Sequence, residues 1–427
     1  MKTLTETTQS ADSAKSNRLP LLSNAATTRG LQPDQLHPLA RTSDEWGTVL
    51  KSWGERSFHA RQVFRWIHAK GVLDPAHMTD ISKSLRQRLT EDHLAEVVRL
   101  VHVQRSLDNT RKLLVGLSDG HQVECVLIPM TSKSPDEDVE WGDPDEWQDE
   151  DPREPLPVGD ESSGDALLAS IRAGSDQKKC RVTLCVSTQF GCAMGCVFCA
   201  SGQFGLGRGL GAAEIVAQVI EARRHLDDGE ILTNLVFMGM GEPLHHYEET
   251  ARALRLLSDN DGVGLGLRRM TVSTVGLIRG IERLGQDFAG KVGLAISLHA
   301  PNDALRSQIV PMNERIGLSK LIAALRNYPL PRRRRITIEY ILIAGVNDQR
   351  VHARELAQLL RPLRVKVNLI SMNTIEGSKL TGSSLEQVEQ FREWVANEGY
   401  SCFIRRRRGD DVSAACGQLA LRENPVE

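Results

Sequence analysis

Three cysteines in one short run, Cys192, Cys196 and Cys199, carry the chemistry most easily read from this chain, spaced Cys-x3-Cys-x2-Cys with Gly191 and Gly195 beside them. Three thiolates at that spacing can hold three corners of a cubic iron–sulfur cluster, and the glycines let the loop wrap around it. A [4Fe–4S] cluster wants four ligands, so three leave one iron open to chelate a small molecule. The competing assignment is a structural zinc ion, which needs a fourth ligand and normally two well-separated ligand pairs. Cys185 is the nearest candidate for that ligand, but it lies seven residues earlier on an expected strand. Neither count nor spacing matches the common zinc patterns. On the zinc assignment the chain is a non-catalytic RNA-binding protein, and both assignments stay open on the residues alone. Cys125, Cys180, Cys402 and Cys416 are scattered, and a lone cysteine is more often an inert core residue.

The composition narrows the setting. The 427 residues suffice for two domains. Residues 1–30 lack the apolar core of a signal peptide, and no apolar run reaches the roughly 18 residues of a membrane span; the expectation is a cytoplasmic protein without a membrane partner. Eight cysteines in such a chain do not suggest a disulfide framework. Between Asp136 and Asp165 stand 14 acidic residues and one basic residue, Arg153, a net of −13 against −2 for the whole chain, which leaves the remainder at about +11. A basic body of that size suits a polyanionic partner.

The pattern of elements predicts five regions. Residues 1–35 lack apolar periodicity and read as a disordered leader. Residues 36–100 read as a small helical accessory domain, with Ala60, Val63, Phe64, Trp66 and Ile67 on one face and a second run over Ile81–Leu94. Its basic residues, among them Arg56, Arg61, Arg65, Lys70 and Arg86, serve either as solvated charge or as RNA contacts. Residues 101–130 read as a β extension of three strands, Val101–Ser106, Lys112–Leu117 and Gln122–Pro129, with turns at Asp108-Asn109 and Asp119-Gly120. Residues 131–179 read as an acidic disordered insertion, a self-repelling tether rather than a mimic of nucleic acid. From residue 180 to 427 strands alternate with helices. The expected strands are Val182–Val186, Leu232–Met238, Met270–Thr274, Val292–Leu298, Ile336–Ile343 and Lys366–Ile370; the expected helices include Ala212–Leu226, Ala251–Leu257, Leu318–Leu325, His352–Leu360 and Leu385–Val395. Six such repeats predict an α/β fold, a partial (β/α)6 barrel or an open parallel sheet, with chemistry at the carboxyl ends of the strands. Polar or glycine-rich residues follow nearly every strand: Gln189–Cys199, Gly239-Met240-Gly241-Glu242, Thr274-Val275-Gly276, His299, Gly345-Val346-Asn347-Asp348 and Asn373.

A cysteine triplet after the first strand of such a barrel is similar to the radical SAM superfamily, in which S-adenosylmethionine (SAM) chelates the open iron through its amino and carboxylate groups. Four segments carry a more specific resemblance: Thr183–Cys192, Phe237-Met238-Gly239-Met240-Gly241-Glu242-Pro243-Leu244, Ser297-Leu298-His299-Ala300-Pro301-Asn302-Asp303 and Arg408–Gln418. Together they resemble the RlmN/Cfr family of radical SAM RNA (adenine) methyltransferases, from about residue 45 onward apart from the acidic insertion.

The resemblance implies a partial radical SAM barrel, a [4Fe–4S] cluster on Cys192, Cys196 and Cys199, and two SAM molecules per turnover. It implies SAM contacts at Gly241, Glu242, Ser273, Ser297, Leu298, His299 and Asn373. A carboxylate facing an ammonium makes a charge-assisted hydrogen bond, which suits Glu242. Taken alone, His299 reads as a satisfied core histidine. The resemblance also implies that Cys416 is methylated by one SAM, that a radical derived from a second SAM takes hydrogen from the S-methyl group, and that the resulting carbon adds to adenine. By the same resemblance Cys185 releases the product by forming a disulfide with Cys416, which reductants reset, and Glu124 is a proton acceptor or substrate-site acid. Alternation along its strand places Glu124 on one face with Val126 and Ile128. The implied product is 2-methyladenine in 23S rRNA at the peptidyl transferase centre and in tRNA next to the anticodon, with an external electron donor; methylation at adenine C8 is the alternative within the family. Arg408-Gly409-Asp410-Asp411 resembles the RlmN branch. Two arginine runs, Arg332–Arg335 and Arg405–Arg408, complement phosphates, though at most half of a run in a strand faces one groove.

Overall fold

The computed structural model describes residues 30–92, 94, 97–130, 180–375, 377–405 and 407–419. Nearly all of the expected leader and the whole acidic insertion lie outside the described residues. Ten strands form one sheet in the order β1-β2-β3-β4-β7-β8-β9-β10-β11-β12. The first three, β1 (Val98–Arg105), β2 (Arg111–Leu117) and β3 (Gln122–Met130), form an antiparallel meander that pairs onto β4 (Cys180–Cys185). Their turns sit where the sequence places them: Asn109 and Gly120 both adopt positive φ, a conformation Asn and Gly tolerate.

From β4 the sheet is parallel, through β7 (Glu230–Phe237), β8 (Met270–Thr274), β9 (Gly293–Ser297), β10 (Ile336–Leu342) and β11 (Val365–Ser371). All six expected strands are present, and helices follow them as parallel crossovers require. The five expected helices appear as Ala212–Arg223, Tyr247–Ser258, Leu318–Arg326, Arg350–Leu360 and Leu385–Asn397. Several elements go beyond the sequence reading. A seventh parallel strand, β12 (Cys402–Ile404), pairs with β11; a hairpin of β5 (Gln189–Gly191) and β6 (Leu206–Gly209) flanks the cysteine loop; and a helix over Ile278–Phe288 buries Ile281, Leu284 and Phe288.

Helices Ser43–Ser52, Phe58–Phe64 and Lys83–Glu91, with a π-turn over Arg65–Ala69, make the amino-terminal part. Thr42 caps the first, its hydroxyl accepting from Glu45 N while the Glu45 carboxylate accepts from Thr42 N at 2.8 Å. Trp46, Leu50, Phe64 and Ile67 are fully buried in an apolar core shared with the barrel. Arginines reinforce that seam. Arg223 donates to the His68 and Ala69 carbonyls at 3.0 and 2.9 Å, satisfying orphan acceptors at a helix end, and Arg252 reaches both Ala40 O and the Glu45 carboxylate.

Candidate active site

Backbone geometry dictates the cysteine loop. Gly191 has φ +74° and a Cβ there would meet Gly205 O at 2.1 Å, while Cys192 N–H donates to that same carbonyl at 2.7 Å. Only glycine lets the β5–β6 hairpin close this tightly. Further along, Val197 N–H donates to Ile309 O and Cys199 N–H to Cys196 O. Cys192, Cys196 and Cys199 all line one cleft at the carboxyl ends of the strands. Burial pushes all three thiols up, Cys192 to about 12. Thiols in such a place stay protonated unless a positive centre draws the protons off, which is what ligation to iron does. Among the described residues no three His, Cys, Asp or Glu side chains are grouped to hold one metal ion. Three thiolates along one cleft wall, with the fourth position left to a small molecule, are the donor set a [4Fe–4S] cluster takes. The donor set fits the cluster.

Opposite the cysteines, the β7 loop supplies a carboxylate. Gly241 has φ +105°, and a Cβ there would meet Gln189 at 2.6 Å. Glu242 is buried; its Oε2 accepts from Val275 N–H at 2.9 Å and its Oε1 from Leu244 N–H at 3.0 Å. Burial nevertheless raises its pKa to about 7, so the site favours a cation as partner. Gly241, Glu242, Ser273, Ser297 and His299 all border the cleft, and the Ser273 and Ser297 hydroxyls lie 3.3 Å apart on neighbouring strands. His299 adopts φ +59° and accepts Ile341 N–H on Nδ1, which places its own proton on Nε2. Burial first, then Arg306, lowers its pKa to about 3, so it is a neutral donor.

Two expected contacts stand differently. The Leu298 side chain is buried away from the cleft and its backbone is engaged: N–H donates to Glu339 O and the carbonyl accepts from Arg306 Nε at 2.9 Å. Asn373 is not in the cleft wall; its Nδ2 donates to Cys416 O at 2.8 Å, and its buried Oδ1 has no partner.

Cys416 lines the same cleft as the cluster cysteines. The carboxyl-terminal segment that bears it is fastened to the cluster loop, where Ala200 N–H donates to Gly417 O and Ser201 Oγ–H to Leu419 O. Cys185 sits at the end of β4, its thiol pushed up to about 12 by burial and by Cys416. It pairs in register with Val126 of β3, and paired residues share a face. Glu124, two residues away, therefore faces the same side as Cys185 without lining the cleft; it is buried and pairs with Lys112 at 3.1 Å.

Glu339 and Arg405 also line the cleft and went unrecognised as site residues from sequence. Glu339 Oε1 accepts from Asn368 Nδ2 at 3.1 Å, and its Oε2 is 4.0 Å from Arg405. Arg405, grouped by its sequence with phosphate-binding arginines, instead points inward to this buried carboxylate. The signal for Glu339 was available, a lone carboxylate inside the apolar run Ile336–Leu342.

Residues 41–95 match the ribosomal RNA large subunit methyltransferase N-terminal domain, and residues 186–357 match the radical SAM superfamily. A protein of Sorangium cellulosum named dual-specificity RNA methyltransferase RlmN is 54% identical over 397 residues, 90% of this chain and 96% of its own. One of the same name from Halorhodospira halophila is 42% identical, over 86% of this chain and 88% of its own. The crystal structure of a radical SAM methyltransferase from Sphaerobacter thermophilus superposes with a TM-score of 0.75 at 39% identity, covering 89% of this chain and 98% of that one. With its cluster loop, its cleft and relatives this similar along nearly their whole length, the chain belongs to the RlmN family of radical SAM RNA methyltransferases, enzymes that use a [4Fe–4S] cluster and SAM.

Proposed function

We propose that this enzyme methylates C2 of adenine in cytoplasmic 23S rRNA at the peptidyl transferase centre and in tRNA next to the anticodon, carrying the methyl group on Cys416 and consuming two SAM molecules per turnover. The carrying observation is that Cys416 and the three cluster cysteines line one cleft, with Cys185 near enough to Cys416 to bias its thiol. The relatives' name, a dual-specificity RNA methyltransferase, agrees with two RNA substrates. Cluster and SAM supply, when bound, the electron and the hydrogen-abstracting group that adenine C2, a carbon without nucleophilic character, demands.

The chain does the rest. Gly241, Glu242, Ser273, Ser297, His299 and the free Oδ1 of Asn373 hold SAM; Leu298, whose backbone is engaged by Glu339 and Arg306, sets Ser297 and His299 on either side of it. Cys416 holds the methyl group as a thioether; with one hydrogen abstracted from it, that carbon bonds to adenine C2, one electron is handed back, and the hydrogen on C2 leaves as a proton to Glu124. Cys185 then attacks Cys416 Sγ: a disulfide forms, the sulfur–carbon bond breaks, and its electron pair stays on the carbon, which a proton completes to a methyl group. An external reductant restores both thiols. Glu124, held by Lys112 on the face of Cys185, is the acid–base group. The helical part over residues 36–100 contacts the RNA.

Incubation of cluster-loaded protein with SAM, reductant and unmodified RNA, followed by mass spectrometry of the nucleosides, tests this. 2-Methyladenosine is expected; 8-methyladenosine in its place overturns the assignment.

A further inference from the structure

The segment that carries Cys416 begins directly after β12, one edge of the ten-stranded sheet, and reaches the β1–β2 turn at the other edge. Two carboxylates meet there reciprocally. Asp108 of the turn accepts Gly409 N–H at 3.0 Å, while Asp411 of the segment accepts the Ser106 hydroxyl on Oδ1 and Leu107 N–H on Oδ2 at 3.1 Å. Asp108 is fixed in turn by Thr110 N–H at 2.9 Å. Gly409 has φ +63°, and a Cβ there would meet Thr110 Cγ2 at 2.9 Å, so the chain can approach the turn this closely only with glycine. A 3-10 turn over Asp410–Val412 follows and ends at Ser413, which also holds positive φ.

We propose that Asp108 and Asp411 are positioning residues for the methyl carrier: together with Ser106 they clamp the upstream end of the segment so that Cys416, whose downstream end is tied to the cluster loop, is presented to the cleft at a set distance. This rests on the reading of Cys416 as methyl carrier. The downstream ties at Cys416, Gly417 and Leu419 leave residues 409–415 free to pivot, because hydrogen bonds at one end of a loop do not fix its other end. Neither carboxylate lines the cleft, so each acts through Cys416 and not on the ligand.

Asp411→Ala, Asp108→Ala, the double variant and Ser106→Ala are compared in the full cluster-loaded enzyme. Iron content, cluster absorbance and KM for SAM should match wild type in all four, since Asp411 is exposed, Asp108 half-buried, and neither they nor the small buried Ser106 line the cleft. In Asp411→Ala, kcat for RNA methylation should fall at least tenfold, hydrogen exchange over residues 405–419 should speed up, and Cys416 alkylation, read peptide by peptide, should accelerate while that of Cys185 does not. Ser106→Ala keeps the Leu107 bond and should lose less; Asp411→Asn keeps one acceptor and should recover part of kcat. Unchanged exchange and kcat in the double variant overturn the clamp, as does faster exchange with normal kcat. Full activity in Cys416→Ala would instead overturn the methyl-carrier reading, which separates the two failures.

Discussion

The side-chain amide of Asn373 donates to the backbone carbonyl of Cys416 at 2.8 Å, tying the loop after β11 to the residue proposed as methyl carrier. Its Oδ1, buried and without a partner, is left to accept a hydrogen bond from a ligand. On the proposed reading this side chain joins the cofactor site to the thiol, so loss of either half should be visible in the other.

Cluster and carrier should separate by mutation. Alanine at Cys192, Cys196 or Cys199 is expected to abolish the brown iron absorbance, SAM cleavage and RNA methylation together, because two thiolates cannot replace three. Alanine at Cys416 should leave iron content and SAM binding intact and eliminate methyladenine. Nucleoside mass spectrometry beside iron analysis reads both.

Cys185→Ala should stall the enzyme as a covalent protein–RNA adduct through Cys416 that survives denaturing gels. In the wild type, the raised Cys185 pKa of about 12 keeps nearly all of the thiol protonated at neutral pH. If its ionisation limits release, resolution of the adduct should quicken about tenfold per pH unit between 7 and 9. A Cys185 variant that turns over normally without trapped RNA would return this residue to the core.

SAM binding should release a proton in the acidic range. Glu242, held near 7 by burial, carries its proton at pH 6 and gives it up beside an ammonium group, whereas at pH 8.5 it is already ionised and none is released. Calorimetry in two buffers of different ionisation enthalpy measures the difference. Glu242→Gln should remove the pH-dependent release and weaken SAM at least tenfold.

Arg306 is fully buried and donates to the carbonyls of Leu298, Val275 and Ser297 and to Asn313 Oδ1, at 2.9, 2.7, 3.0 and 2.9 Å. It stitches the loops after β8 and β9 that border the cleft. Arg306→Met orphans those acceptors and should cost about 3–5 kcal/mol, read as a lowered thermal midpoint together with weaker SAM binding.

The parallel strands were legible because apolar runs such as Leu235-Val236-Phe237-Met238 are followed by glycine or polar punctuation. The cysteine loop, Glu242 and Cys416 were legible through their motifs. What escaped did so for physical reasons. Strand β12 and the β5–β6 hairpin run for only three or four residues, too few for alternation to register. Helix Ile278–Phe288 is interrupted by Gly280 and Gly285, which pack against Leu244 and Pro329 where a Cβ would clash, and glycine reads as a breaker. Arg405 is indistinguishable in sequence from its exposed neighbours; only the register of the chain leaving β12 turns it toward Glu339.

Strands β3 and β4 pair in register from Val126↔Cys185 to Met130↔Arg181, so the two ends of residues 131–179 are held a hydrogen bond apart whatever lies between them. The entropy of closing a loop grows only with the logarithm of its length, which makes this junction an insertion port. Foreign sequence exchanged for residues 131–179, a fluorescent reporter or an affinity handle, leaves the spacing of Glu124 and Cys185 untouched, because the ladder and not the intervening chain sets it.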